Sequence, residues 1–331
     1  MKCAKPIRII SCGIYLPEQM SSETLELKFN LPEGCSKRIS GVNNRHHVTF
    51  ETNGFMGARA IESALTKAEL ALNEIDLLIS AGATYDYPIP SQSSIIKREL
   101  YESSEIHFPV FDINSTCLSF VSAFEVAAKL LDGIQYKRII IVSSEIASKG
   151  LNPAHPETLT LFGDGAVAFI LEYNARENSM YLNSYFETYT EGAFHTIIRG
   201  GGNVNYFRNN PFTEEMYTFE MHGLEMLKLA KKTMPKFVET MLKDMSIDIE
   251  NIDVIIPHQA SKTGIQLFEK MFSFKPGQVK SNLENFGNCI AASIPLLLHQ
   301  SIEQGELKRG NLCLLIGTSA GFSIGGLFFK Y

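Results

Sequence analysis

Apolar residues recur along this chain in two rhythms. The runs "IRIISCGIYL" (7–16), "IDLLISAGAT" (75–84) and "RIIIVSSE" (138–145) are apolar almost throughout, which predicts short strands buried on both faces. Between the first two, "GARAIESALTKAELA" (57–71) gathers Ile61, Leu65 and Leu70 on one side of an amphipathic helix. Strands and helices in alternation predict an α/β fold with mostly parallel strands. No Pro/Gly/Ser linker or low-complexity tract divides the chain.

The pattern also repeats weakly. "IDLLISAGAT" has a counterpart in "IDVIIPHQAS" (252–261), and a helical segment precedes each, "TKAELALNE" and "VETMLKDMS". Cys117 comes 41 residues after Asp76 and leads into an apolar helix through Leu118, Phe120, Val121 and Phe124. Asn288 comes 35 residues after Asp253 and leads into "CIAASIPLLLHQSI". "RIIIVSSE" then matches "NLCLLIGTSA", and the halves close on "AVAFILEY" and "GGLFFKY". Two similar α/β halves, 1–173 and 174–331, related by a pseudo-twofold, account for this. A helix that is apolar all round must be buried on every side. Both such helices therefore belong between two sheets, with their N-termini close together and the loop carrying His258 beside them.

Composition narrows the function. A chain of 331 residues suits two domains or one fused double unit, and 45% hydrophobic against 20% charged residues supports a sizeable core. A net charge of −6 argues against general nucleic-acid binding. No stretch of 18 apolar residues predicts a membrane span, and the start "MKCAKPIRIISCG" turns polar too early for a secretory signal. Six scattered cysteines, Cys3, Cys12, Cys35, Cys117, Cys289 and Cys313, show no C-x-x-C and no pairing with histidines. A cytoplasmic protein with reduced thiols, no metal and no cofactor is expected.

Three residues at equivalent or converging points of the repeat carry candidate chemistry. A thiol at a helix N-terminus meets the positive end of the macrodipole and free N–H groups, which favours the thiolate of Cys117. That thiolate is a nucleophile for acyl transfer, and the same N–H groups can hold an oxyanion. His258 follows a buried strand in "IIPHQAS", and Asn288 stands at a helix start in "NFGNC". Each also has an ordinary structural role open to it: an inert buried thiol, a packed histidine, a helix cap.

"NSTC" before a buried helix, "IIPHQA", "NFGNCIAASIP", "FGDGAVA" and the ending "GTSAGFSIGGLFF" resemble the thiolase superfamily, and most of all the β-ketoacyl-acyl-carrier-protein synthase III family. The resemblance runs over nearly the whole chain in the family's motif order. It implies a five-layered αβαβα fold, a homodimer, and a catalytic triad of Cys117, His258 and Asn288. An acyl group from an acyl thioester would be loaded onto Cys117. A malonyl thioester, on acyl carrier protein or a similar carrier, would then lose carbon dioxide and attack it. His258 and Asn288 would hold the malonyl thioester oxygen, and the backbone N–H groups of Cys117 and Gly321 would form the oxyanion hole. Phe162 would line the substrate pocket, and Ile89 would cross the dimer interface into the partner's pocket. Both are equally compatible with plain core.

The chain also departs from the family pattern. The family's coenzyme A segment has a Trp followed by Thr-Gly-Ile-Arg. This chain has no Trp and reads "SGVNNR", with Asn43 at the Arg position. Pro156 stands near another family Arg, and Thr263, with Lys262 alongside, replaces a third. Arg pairs bidentately with phosphates, so these losses point away from a coenzyme A donor and towards a carrier protein. Lys228, Lys231, Lys232 and Lys236 lie at near-helical spacing. They make either a solvated face or, with Lys262, a docking face for an acidic acyl carrier protein. The alternatives to condensation are acyl transfer from Cys117 to a hydroxyl, amine or other carbon nucleophile, and a non-catalytic dimer partner, which would typically have lost the nucleophile. A degradative thiolase would place a second cysteine near "GTSAGFS", which has none.

Overall fold

Strands Ile7–Tyr15, Gly165–Tyr173, Arg138–Glu145, Leu77–Ala81 and Val110–Ile113 lie side by side in that order in one sheet. Val254–Pro257, Leu312–Ser319, Ser323–Lys330 and Met180–Thr188 form a second. The computed structural model describes residues 4–101, 103–175, 178–206, 208–209 and 211–331, so Cys3 lies outside the described residues.

Side-chain alternation along the strands divides the interior. Leu77, Ile79, Ile139 and Ile141 face one core, while Leu78, Ile140 and Val142 face another. The first core also takes Phe120 and Phe124 from helix Ser119–Leu130, Leu297 and Leu298 from helix Ser293–Glu303, and Val254, Ile256 and Leu315 from the second sheet. The two apolar helices are therefore sandwiched between the sheets. Helix Asn53–Ala68 covers the outer face of the first sheet through Ile61, Ala64 and Leu65. Helix Gly223–Met245 covers the outer face of the second through Phe237, Val238 and Met241. The result is the thiolase-like αβαβα stack. Among the described residues, no helix is long and apolar enough to cross a membrane.

The strands are not mostly parallel. Leu77–Ala81 runs parallel to both its neighbours, but the other two pairings of the first sheet are antiparallel. In the second sheet one pairing is parallel and two are antiparallel. Connection length decides the direction here. Only Ala320, Gly321 and Phe322 join Leu312–Ser319 to Ser323–Lys330, too short a link for a parallel crossover. The edge strand Val110–Ile113 is reduced in the second half to a single parallel bridge from Val279 to Ile255.

Candidate active site

The chain builds the same turn twice in front of the two central helices. The Asn114 side-chain oxygen accepts the Thr116 N–H at 2.9 Å, and the Asn288 side-chain oxygen accepts the Ile290 N–H at 2.9 Å. Thr116 and Ile290 both sit in the left-handed region, at φ 50° and 49°. The Ser119 hydroxyl accepts the Ser115 N–H at 3.0 Å, and the Ser293 hydroxyl accepts the Cys289 N–H at 2.9 Å. Ser119 and Ser293 each begin an α-helix. This match corrects the repeat as read from spacing: Asn288 corresponds to Asn114, and the counterpart of Cys117 is Ala291. Counting from Asp76 and Asp253 runs through connections of unequal length, whereas the turn is defined locally. Left-handed backbone at a β-branched residue is strained, and such strain collects at functional sites.

Cys117 lies two residues ahead of helix Ser119–Leu130 rather than in its first turn. It keeps partial exposure, whereas Cys12, Cys35, Cys289 and Cys313 are buried. The expected thiolate is not favoured. Burial pushes the Cys117 thiol up to about 12, and the nearby Glu145 carboxylate raises it further. Backbone hydrogen bonding from Ala320 and from the thiol's own residue opposes this without prevailing. Desolvation of a charged sulfur outweighs the helix end here. The N–H that acts on the thiol besides its own is therefore that of Ala320, the chain neighbour of Gly321. Gly321 itself has φ +78°, a conformation that side chains resist. The Thr116 hydroxyl donates to the Ala320 carbonyl at 3.3 Å, which ties the cysteine turn to this hairpin.

His258 directly follows strand Val254–Pro257, and its N–H donates to the Ile316 carbonyl at 2.8 Å. A Cβ on Gly317 would come within 2.6 Å of the His258 Cβ, so glycine there is what lets the ring settle against the strand. The side chain is 6% exposed, its Nδ1 has no partner, and burial lowers its pKa to about 4. A neutral imidazole across the physiological range follows. The Asn288 amide donates to the carbonyl of Ala260, two residues beyond His258, at 3.2 Å. The end of strand Leu312–Ser319 thus connects the two sides, since His258 rests on Ile316 and Gly317 while the cysteine turn is bonded to Ala320.

Phe162 lies beside Asn288. The Asn288 N–H donates to the Leu161 carbonyl at 2.9 Å, and the Gly163 N–H donates to the Asn288 carbonyl at 3.1 Å. Phe162 is buried with Val42, Ala147, Leu161, Ile265 and Leu283, and stacks edge-on against Phe219. Ile89 is 86% exposed, so for it the plain-core reading fails in the single chain. Apolar character in a proline-bracketed loop did not distinguish the two cases.

Glu145 escaped the sequence reading. It ends strand Arg138–Glu145, is fully buried, and accepts the N–H groups of Ala83 at 2.7 Å and Thr84 at 3.0 Å together with the Thr84 hydroxyl. The backbone of Ala291, the counterpart of Cys117, also hydrogen-bonds to it. Burial raises its pKa to about 7 in spite of these donors. The available signal was a carboxylate ending an otherwise apolar strand. Asp164 explains "FGDGA" structurally: it is buried and accepts the N–H groups of Val48, Ala147 and Ser148.

The candidate docking lysines Lys228, Lys231, Lys232 and Lys236 all stand exposed on helix Gly223–Met245, with Leu229, Thr233 and Phe237 buried on its other side. Lys228 pairs with Glu225 at 3.2 Å and Lys232 with Glu191 at 3.8 Å. Lys262 is exposed and lays its stem against Gly41, while Asn43 is bound to Glu284 through both backbone and side chain. Cys12, His299 and Glu303 group three metal-type ligands, but the Lys67 ammonium already lies 2.8 Å from Glu303 and 3.5 Å from His299.

Two cavities adjoin at the start of helix Gly223–Met245. One of about 210 Å³ runs between helices Gly223–Met245 and Lys262–Met271 and is bordered by His258, Ala260 and Gly317. A second of about 780 Å³ shares Met221, Gly223 and Leu227 with it and carries Glu157, Glu215 and Glu220, the last paired with Arg199 at 2.7 Å.

Residues 111–190 match the family described as 3-oxoacyl-[acyl-carrier-protein] synthase III, and residues 242–331 match its C-terminal family. A β-ketoacyl-[acyl-carrier-protein] synthase III of Vesicomyosocius okutanii is 30% identical, over 99% of this chain and 100% of its own length. The Aquifex aeolicus 3-oxoacyl-[acyl-carrier-protein] synthase III structure superposes with a TM-score of 0.85 at 25% identity, covering 98% of this chain and 100% of that one. The priming β-ketosynthase of the R1128 polyketide pathway shares the fold, with a TM-score of 0.88 at 21% identity, over 98% of this chain and 96% of that one.

Proposed function

This chain belongs to the 3-oxoacyl-[acyl-carrier-protein] synthase III family, and from that premise we propose how it carries out an acyl-transferring, carbon–carbon bond-forming reaction. The Cys117 sulfur attacks the carbonyl carbon of an acyl thioester, and the donor thiol leaves with the proton that Cys117 gives up. A malonyl thioester then loses its free carboxylate as carbon dioxide. The released electron pair forms the new bond to the acyl carbonyl carbon, and the Cys117 sulfur leaves and regains a proton. Negative charge builds on the malonyl thioester oxygen during decarboxylation, and neutral His258 and the Asn288 amide are the donors we assign to it. The N–H groups of Cys117 and Ala320 or Gly321 serve the tetrahedral intermediate. The observation that carries this reading is a neutral, buried His258 linked through Ala260 to the Asn288 amide.

The acyl donor in this reading is a carrier protein. The missing arginines leave little to hold nucleotide phosphates, and Glu157 and Glu215 in the larger cavity repel them. The exposed lysines of helix Gly223–Met245 suit an acidic carrier instead. Acylation and product formation from a carrier-bound acyl group should exceed those from the same acyl-coenzyme A by more than about tenfold at matched concentration, a gap of roughly 1.4 kcal/mol. Equal rates would refute the carrier assignment, and absence of the condensation product with either donor would refute the reaction.

We also propose a homodimer. Tyr85, Tyr87 and Ile89 are exposed on one loop, an apolar patch that a monomer would leave in water. Where the loop leads into the next helix, the Gln92 and Ser93 N–H groups are bound to Asp112 of the sheet-edge strand Val110–Ile113. Light scattering at micromolar concentration should give twice the chain mass, and a monomer would count against the interface.

A further inference from the structure

Cys12, His299 and Glu303 bring a thiol, an imidazole and a carboxylate together outside the site described above. Cys12 lies on strand Ile7–Tyr15, and the other two lie one turn apart on helix Ser293–Glu303. That helix rises about 15 Å from Ser293 to Glu303, so the group stands well away from the Asn288 turn. The three ligand atoms lie within 4.8 Å of one another, and His299 Nε2 is 3.9 Å from a Glu303 carboxylate oxygen. Zinc bonds of about 2.0–2.3 Å in a tetrahedron put such atoms roughly 3.3–3.8 Å apart. A shift of about 1 Å closes the difference, and Glu303, half-exposed, can supply it.

A cation already stands among these ligands. The Lys67 ammonium lies 2.8 Å from Glu303 and 3.5 Å from His299 Nε2, and its charge acts on the Cys12 thiol. The chain's own ammonium thus marks where the charge of a metal would sit. Its hold is weak: the Lys67 and Glu303 side chains are 42% and 49% exposed, and such an ion pair is worth less than about tenfold in affinity. Lys67 also lines a cavity of about 410 Å³ that carries Glu69 and Glu172, which gives the ammonium room to withdraw and a metal a way in. Arg309 is the other cation acting on Cys12, but it is held by the Ile9 carbonyl at 2.8 Å and over the Tyr331 ring at 4.0 Å.

We propose that Cys12, His299 and Glu303 bind a thiophilic divalent cation of the zinc type, with Lys67 as its built-in competitor. On binding, the Cys12 S–H bond breaks, the proton goes to solvent and the sulfur bonds to the metal. Lys67 moves out still protonated, and nothing is oxidised or reduced. The thiolate and the carboxylate match the two charges of the metal, the imidazole is a neutral third ligand, and water completes the tetrahedron. The metal ties strand Ile7–Tyr15 to the buried helix Ser293–Glu303. Cysteine and histidine spacing gave no sign of this, because Cys12 and His299 come from opposite ends of the chain.

The test is equilibrium dialysis of the full-length chain against zinc alone, at micromolar metal. It is run in a Cys117→Ala background, so that the thiol of the candidate active site contributes nothing. One zinc per chain should be retained. Cys12→Ala should weaken binding at least about a hundredfold, since even outer-shell changes cost 10–100-fold. Lys67→Met, an exposed change that leaves the three ligands in place, should strengthen binding by up to about tenfold, the share an exposed ion pair can withhold. Cobalt in place of zinc should show a thiolate-to-metal charge-transfer absorption that Cys12→Ala lacks. Zinc should also raise the unfolding midpoint of the Lys67→Met chain more than that of its parent at the same metal concentration. Failure to retain zinc overturns the proposal. Retention that Cys12→Ala leaves unchanged places the metal elsewhere and overturns it too. Unchanged or weaker binding in Lys67→Met shows that the ammonium and the metal do not share a site, and the proposal falls with that result.

Discussion

Incubation with an acyl thioester is expected to add one acyl mass to the native chain, on Cys117, and none to Cys117→Ala, whose product formation should fall by at least about 10⁴. Ease of ionisation does not single out this cysteine, because burial raises the thiols of Cys12, Cys289 and Cys313 as well. Access does: Cys117 keeps partial exposure where those three are buried. With its thiol at about 12, the free enzyme holds almost no thiolate near neutrality, so acylation must remove the proton as the sulfur attacks. His258 is neutral down to about pH 4, which leaves it unprotonated but a weak base, so it can take the proton only as the sulfur bonds to carbon. His258→Ala should slow acylation by less than the roughly 10²–10⁴ that a well-matched base contributes. In that variant, alkylation of Cys117 by iodoacetamide should rise about tenfold per pH unit between pH 7 and 10. Label on Cys289 or Cys12 would remove Cys117 from the mechanism. Fast alkylation independent of pH above neutrality would restore a preformed thiolate.

What the sequence revealed and what it hid follow from different physics. Ile139 to Val142 read as a strand because a strand buried on both faces needs apolar side chains at every position, and that need leaves its mark on composition. Helices Ser119–Leu130 and Ser293–Glu303 read as central for the same reason. Strand direction left no such mark, since it depends on the length of connections such as Ala320–Phe322. The register of the repeat was hidden by the unequal connections before Asn114 and Asn288, although the two asparagine turns were present in the letters. Burial of Glu145 needs donors from Ala83, Thr84 and Ala291, which only tertiary structure assembles. The raised thiol of Cys117 is likewise a property of its surroundings. Helix-end reasoning predicts the direction of one local effect, and desolvation, a property of the whole fold, exceeded it.

Asn288→Ala is expected to form the acyl-enzyme normally and to lose condensation by about 10²–10³, the usual effect of removing one preorganised oxyanion donor. The Asn288 oxygen accepts from Ile290 and lies 3.3 Å from the Ser293 hydroxyl, which donates to it, while one amide hydrogen goes to Ala260. The second amide hydrogen is left for a thioester oxygen. Removing the side chain also opens the turn, at a stability cost of about 1 kcal/mol by analogy with lost helix caps. Asn288→Asp separates the two roles, because aspartate still accepts the Ile290 N–H but donates nothing and adds negative charge where negative charge develops. It should keep the Ile290 contact that shapes the turn, at the cost of a carboxylate oxygen facing the Ala260 carbonyl, and condense no better than Asn288→Ala. Because burial holds His258 neutral down to about 4, the acid limb attributable to it in single-turnover condensation should fall near pH 4 rather than near 6.5. Single-turnover acylation measured beside product formation divides the two half-reactions. If Asn288→Ala condenses as fast as the native chain, no oxyanion is being held at that position. Decarboxylation is then not the step this site promotes, and transfer of the Cys117-bound acyl group to another nucleophile takes its place.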